Sequence, residues 1–251
     1  MHAILTALDE QQAELGALLD TFDDAQWSLP TRCEGWTVAD VLLHLAQTDE
    51  LALAASRNEF AGRVRELAGG VDGQGTVDDG AGALVARERG LSNVALGERW
   101  RGGAAALRDA LATSDPHRRV RWVAGDLSIH TLASTRLAEC WIHTGDVADA
   151  VGAPQVPTDR LEHVARLAWR TLPYAFARAG RELTGPVAFE LVSPSGAAWH
   201  FRPDTEPVTL LEGPGAHLCL VAARRVAPEH TSLRATGADG SAVLELVRTY
   251  A

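Results

Sequence analysis

Residues 136–152 read RLAECWIHTGDVADAVG, and this stretch decides both the expected fold and the expected chemistry. Glu139, His143 and Asp146 stand at positions i, i+4 and i+7, which share one face of an α-helix. Apolar residues, among them Trp141 and Val147, flank this stripe, so we expect the helix to be buried. A polar stripe inside a helical bundle must be paired or must bind a ligand.

The rest of the first two thirds of the chain shows apolar residues at helical spacing. It predicts a first helix that stops near Pro30 and further helices over 37–58, 83–113 and 128–151, with a glycine-rich loop over 69–82. Thr37 is an N-cap residue with Asp40 three positions later, a variant of the capping box. Residues 1–153 are therefore predicted to form a four-helix bundle.

The pattern changes after Pro154. A helix is expected over 158–179, followed by a β-hairpin in which residues 187–191 pair with residues 198–201 across a Pro194–Gly196 turn. Two more strands, 208–211 and 217–222, and a last helix over 241–250 complete the prediction. The chain is thus predicted to be α+β, with a small α+β domain over 154–251.

Composition narrows the classes of function. A formal net charge of −10 disfavours binding to nucleic acid or to anionic membrane surfaces, and no apolar run is long enough to cross a membrane. The three cysteines are widely spaced and form no CxxC pair, which favours a reducing compartment. Because Asp9 and Glu10 interrupt any signal-like apolar region, we expect a cytoplasmic location.

A second imidazole comes from RCEGWTVADVLLHLAQTDE, residues 32–50, where His44 lies among apolar neighbours. A lone histidine of this kind is more often a satisfied core residue. Together with Glu139 and His143, it makes two nitrogen donors and one oxygen donor, the arrangement of a catalytic zinc site with an open position. Iron, nickel or cobalt would fit the same donors. Asp146 could orient a ligand or a bound water, or be a surface acid, and Asp40 could act similarly or simply complete the helix start.

The two stretches together resemble the mycothiol-dependent maleylpyruvate isomerase family, within the DinB-like helical-bundle superfamily. The shared motif residues are Glu34-Gly35-Trp36-Thr37, His44-Leu45, and Glu139, Trp141, His143 and Asp146. Residues 158–171, 189–201 and 213–225 resemble the C-terminal portion of an uncharacterised actinobacterial branch of the family.

The resemblance implies that His44, Glu139 and His143 bind zinc and that the metal activates the thiol of mycothiol for attack on a double bond. It also implies an arginine from the C-terminal domain, for which Arg225 is the counterpart by spacing; its alternative is a solvated strand end. Arg225 and Asp146 are thus the predicted catalytic residues.

Three functions remain open from the sequence. The first is a metal-dependent, mycothiol-assisted isomerase or S-transferase acting on a small electrophile. The second is a metal-dependent hydrolase or lyase that uses bound water without a thiol. The third is a non-catalytic module that binds a small molecule. The sequence leaves monomer and homodimer equally open.

Overall fold

The computed structural model describes residues 1–69, 76–123 and 125–249. The chain divides into two compact units, Met1–Gln155 and Val156–Ala251, where the sequence suggested a boundary after Ala153. The fold is α+β, as predicted, because a helical unit precedes one that is built on a sheet. Within the described residues, no helix combines the length and apolar character that crossing a membrane requires.

The first unit is almost entirely helical. Its α-helices are α1 (His2–Leu19), α2 (Val38–Ser56), α3 (Phe60–Ala68), α4 (Val77–Glu88), α5 (Asn93–Ala112) and α6 (Ile129–Ala150). A short antiparallel pair, β1 (Arg119–Val120) and β2 (Leu127–Ser128), connects α5 to α6.

Four long helices form the bundle. Helices α1 and α2 each pack against both α5 and α6, so that apolar faces from all four meet in one core. Its largest fully buried side chains include Trp100, Leu8, Leu42, Leu107 and Leu132. Burying a side chain of this size contributes about 1.5–3 kcal/mol each, which explains how helices rich in alanine and glycine are held together.

The predicted start of α2 is confirmed. The Thr37 side chain accepts a hydrogen bond from the backbone N–H of Asp40 at 3.3 Å, and Asp40 Oδ2 accepts one from the backbone N–H of Thr37 at 2.9 Å. This reciprocal pair satisfies N–H groups that the first helical turn leaves without intrahelical partners.

The prediction of a single helix over 83–113 is wrong, because the chain forms two helices there, α4 and α5. Gly90 adopts φ +107°, which ends the helical path, and Ser92 then caps α5 by accepting from Ala95 N at 3.2 Å. The loop predicted over 69–82 is also shorter than expected. Thr76 and Asp79 form a second capping box that starts α4, and positions 70–75 of that prediction lie outside the described residues.

The second unit is a four-stranded sheet with helices. Its elements are α7 (Leu161–Arg170), α8 (Leu172–Arg178), β3 (Val187–Val192), β4 (Ala198–Phe201), β5 (Thr209–Pro214), α9 (Gly215–Ala222), β6 (Arg234–Gly237) and α10 (Gly240–Leu246). The strand order is β4-β3-β5-β6, with β3 and β5 parallel and the outer pairs antiparallel. The predicted hairpin is confirmed, with Phe189 opposite Phe201 and Leu191 opposite Trp199.

Two predictions for this unit are wrong. Residues 217–222 belong to helix α9 rather than to a strand, because a short apolar run carries no periodicity that separates the two. The helix expected over 158–179 divides at Thr171, where Pro173, which has no backbone N–H, opens the next helix. Strand β6 was not predicted at all.

Candidate metal centre

Two facing helices of the first unit bring three predicted donors together. His44 projects from α2, and Glu139 and His143 project from α6. Glu139 Oε2 lies 3.4 Å from His44 Nε2 and 3.6 Å from His143 Nε2. One donor atom of each side chain lies within 4.8 Å of the other two.

These separations match the size of a zinc site. Bonds of about 2.1 Å to tetrahedral zinc place neighbouring donor atoms about 3.4 Å apart. The two measured separations of 3.4 and 3.6 Å are close to that edge length. These two separations are therefore compatible with a divalent ion bound between the donors.

The three side chains are buried to different degrees. His44 and His143 expose about a tenth of their side chains, at 10% and 9%, whereas Glu139 exposes 20%. The two imidazole rings lie 5.0 Å apart between centroids and nearly perpendicular, at 77°. Glu139 is therefore the most exposed of the three donors.

Asp146 contacts the ring nitrogen of His143 that does not face Glu139. Its Oδ2 lies 2.9 Å from His143 Nδ1, and its side chain is 1% exposed. Because an ionised carboxylate only accepts, we assign the Nδ1 proton to His143, which leaves Nε2 to face Glu139 and His44. A ligating histidine is commonly oriented in this way by a carboxylate on its second nitrogen.

The loop between α1 and α2 supports the centre from outside. A bridge between Pro30 and Thr37 closes the last part of this loop, and Gly35 within that part adopts φ +75°. Cys33 Sγ donates to Asp146 Oδ2 at 3.3 Å. The ring of Trp36 packs against that of His44, with 5.1 Å between centroids. The loop therefore contacts both a predicted ligand and the residue that orients another.

A basic residue of the same loop adds charge. Arg32 Nη2 donates to Asp149 at 2.6 Å, and its Nε lies 3.8 Å from Asp146 Oδ1. The buried Asp146 carboxylate thus faces a cation, a thiol and an imidazole.

Electrostatics set the protonation states without a bound ion. Burial lowers the pKa of His44, which favours the neutral imidazole. Burial also acts to raise the pKa of Glu139, but hydrogen bonds from His143 and His44 outweigh it and hold this pKa well below its usual range. For His143, burial is likewise outweighed, and hydrogen bonds with Asp146, Cys33 and Glu139 raise its pKa well above the usual range.

Other predicted candidates fall outside the cluster or stay untested. Asp40 completes the start of α2, and its carboxylate accepts a hydrogen bond from Arg89 Nε at 2.7 Å. Its oxygen atoms therefore have partners outside the donor cluster. Arg225 lies in the second unit just after α9, where its Nη1 donates to Ala223 O at 2.9 Å. A role for Arg225 in the site stays a prediction.

Cys33 has no motif in the sequence that marks it as a site residue, because it belongs to no CxxC pair. The structure groups it with His143 and Asp146 as a second set of neighbouring donors. Since the Asp146 carboxylate is already bound to the Nδ1–H of His143, we interpret this set as the support of the first rather than as a separate metal site.

Similar proteins were found by both sequence and structure. Two uncharacterized proteins of Mycobacterium tuberculosis, Rv0036c and MT0041, are 31% identical to the chain over 247 residues, which is 97% of this chain and 93% of theirs. The crystal structure of a mycothiol-dependent maleylpyruvate isomerase has a TM-score of 0.60 at 20% identity and covers 93% of this chain and 91% of that one. A point mutant of that isomerase has a TM-score of 0.59 at 19% identity, with the same coverage. At these identities the structural likeness shows the fold.

The family itself is shown by the helical unit. Residues 8–148, more than half of the chain, match the family described as the mycothiol maleylpyruvate isomerase N-terminal domain. This match spans α2 and α6, including all three donors. The chain therefore belongs to the mycothiol maleylpyruvate isomerase family.

Proposed function

We propose that the chain is a zinc-dependent enzyme in which His44, Glu139 and His143 hold the metal and mycothiol is the co-substrate. The reaction would be isomerisation of, or S-transfer to, a small electrophile. One observation carries the proposal: donors from two helices converge at separations of 3.4 and 3.6 Å, which fit tetrahedral zinc. Family membership supports the thiol and the isomerase chemistry.

The residues of the chain would prepare the site in three ways. The pKa values of Glu139 and His44 are shifted toward the anionic carboxylate and the neutral imidazole, which are the forms that bind a cation. Asp146 keeps the remaining proton of His143 on Nδ1, so that Nε2 is presented to the cluster. The ring of Trp36 packs against that of His44 and would support the position of this imidazole.

When bound, the metal would supply Lewis-acid activation, by which a thiol loses its proton at neutral pH. The accessible side of Glu139 supports entry of the thiol there, because this carboxylate is the most exposed of the three donors. A cationic side chain near the developing enolate would lower the barrier further, and Arg225 is the proposed residue by resemblance.

Elemental analysis tests the metal. The chain purified without added metal should contain about one equivalent of zinc, and His44→Ala should lose it. His117→Ala is the matched control, because His117 is an exposed histidine of the same unit. Absence of stoichiometric metal from the unaltered protein would remove the proposal.

Calorimetry with mycothiol tests the thiol. The zinc-loaded protein should bind mycothiol, and His44→Ala should not. If zinc is present but neither a heat of mycothiol binding nor thiol-dependent turnover is detected, mycothiol is not the co-substrate. Hydrolysis or lyase chemistry with bound water then becomes the better hypothesis.

A further inference from the structure

The helical unit buries a cation that the proposed metal centre does not use. Arg136 lies three residues before Glu139 on α6, and its side chain is 3% exposed. Its Nε and Nη1 atoms are buried and have no hydrogen-bond partner among the described residues. A buried charge is normally both paired and hydrogen-bonded, since donors left unsatisfied lose their hydration without compensation.

Two groups face this guanidinium, and neither satisfies its donors. Asp49 Oδ1 lies 3.8 Å from Nη1, which is beyond hydrogen-bond length. The ring of Trp122 lies 5.2 Å from Cζ, in cation–π geometry that uses the face of the guanidinium rather than its N–H edges. Two of the guanidinium nitrogens, Nε and Nη1, therefore lack an acceptor among the described residues.

Asp49 compensates the charge of Arg136 only in part. Burial raises the pKa of Asp49 to about 7, although the nearby Arg136 acts to lower it. Burial therefore acts against full ionisation of Asp49 beside Arg136. The Glu139 carboxylate, one turn along α6, also interacts with the charge of Arg136.

The position of the pair relates it to the metal donors. His44 meets Glu139 between α2 and α6, and five residues further along α2, Asp49 meets Arg136 one turn earlier on α6. Arg136 and Glu139 are about 4.5 Å apart along the helix axis and on the same side of α6. Ligand sites in helical bundles are built from side chains that project from facing helices in this way.

We propose that Arg136 is a buried anion-binding subsite next to the metal centre, and that it takes a carboxylate group of the small molecule on which that centre acts. This inference rests on the proposed function for the identity of its ligand. The oxygen atoms of a carboxylate accept charge-assisted hydrogen bonds from guanidinium N–H groups and would satisfy donors that the chain leaves unused. The rival explanation is a purely structural ion pair with Asp49.

Calorimetry on the zinc-loaded full chain tests the subsite, with sodium crotonate as the probe and crotonamide as its uncharged counterpart. The unaltered protein should bind crotonate in preference to crotonamide. Arg136→Met should weaken crotonate binding about ten- to hundredfold with zinc content unchanged, because hydrogen bonds to a charged group are lost. Arg101→Met is the matched control, since Arg101 is an exposed arginine paired with Asp20.

Two further variants keep the test decisive if Arg136→Met does not fold. Arg136→Lys retains the positive charge but lacks the planar guanidinium group. It should weaken crotonate binding, though less than Arg136→Met does. Asp49→Asn removes the competing anion and should tighten crotonate binding by about threefold or more. A structural ion pair predicts the opposite for Asp49→Asn, namely weaker binding in a less stable protein.

The outcomes separate this inference from the proposed function. Crotonate binding that is absent, equal to that of crotonamide, or unchanged in the Arg136 variants would overturn the subsite, whatever the zinc content or thiol-dependent turnover. Crotonate binding that depends on Arg136 in a protein without thiol-dependent turnover would support the subsite and count against the proposed function alone.

Discussion

Replacing Glu139 by alanine should weaken zinc binding more than replacing Asp146 does, because the first residue is a proposed ligand and the second only orients one. Zinc sites with four protein ligands bind with about 10–16 kcal/mol, so one ligand is worth about 2.5–4 kcal/mol, roughly sixty- to several-hundredfold in affinity. Residues that orient a ligand are typically worth 10- to 100-fold, about 1.4–2.7 kcal/mol.

The contacts of Asp146 explain why its effect should still be measurable. Its Oδ2 receives the Nδ1–H of His143 at 2.9 Å in a position that is 1% exposed. Alanine would leave that N–H buried without a partner, whereas Asp146→Asn keeps an acceptor oxygen. We therefore expect zinc affinity to decrease in the order wild type, Asp146→Asn, Asp146→Ala, Glu139→Ala.

The assay is competition for zinc against a chromophoric chelator, with circular dichroism to confirm that each variant is folded. Equal zinc affinity in wild type and Glu139→Ala would refute the assignment of Glu139 as a ligand. A larger loss in Asp146→Ala than in Glu139→Ala would show that the roles of the two carboxylates are exchanged.

Three further predictions concern pH, capping and the supporting loop. Because the metal-free fold raises the pKa of His143, the stability of the metal-free protein should fall as pH rises from about 6.5 through the raised pKa. Zinc displaces the proton of His143, so zinc affinity should rise about tenfold per pH unit over the same range. Chelator competition measures that affinity. Thr37→Ala should cost about 1 kcal/mol in urea unfolding, since the capping box is lost, and Thr37→Ser should restore most of it. Cys33→Ala should weaken zinc binding by less than Asp146→Ala does. Cys33→Ser should retain more of the wild-type zinc affinity than Cys33→Ala, because a hydroxyl can also donate to Asp146. Equal zinc affinity in the wild type and both Cys33 variants would contradict a supporting role.

Much of the helical unit could be predicted from the sequence because its apolar and polar residues recur at helical spacing. The spacing of Glu139 and His143, together with the Thr37 cap, correctly predicted α6, α2 and the juxtaposition of their polar faces. The break at Gly90, where φ is +107°, was missed because an isolated glycine is tolerated within a helical pattern.

The sequence was less informative about polar residues whose role is set by long-range contacts. Arg136 stands on the same helical stripe as Glu139 and was overlooked, since an arginine at that spacing is normally a solvated residue. Only its measured burial of all but 3% sets it apart. In the second unit, residues 217–222 were misassigned because a six-residue apolar run fits a strand or a helix equally well.

The contact between His44 and Glu139 joins positions that are 95 residues apart in the chain. A metal shared by α2 and α6 would act as a reversible cross-link that encloses α3, α4 and α5 within one covalent loop. Closing a loop of that length costs about 4 kcal/mol of chain entropy in an unfolded polypeptide. A chelator should therefore accelerate amide hydrogen exchange in α2 and α6 together, well beyond the residues that surround the donors.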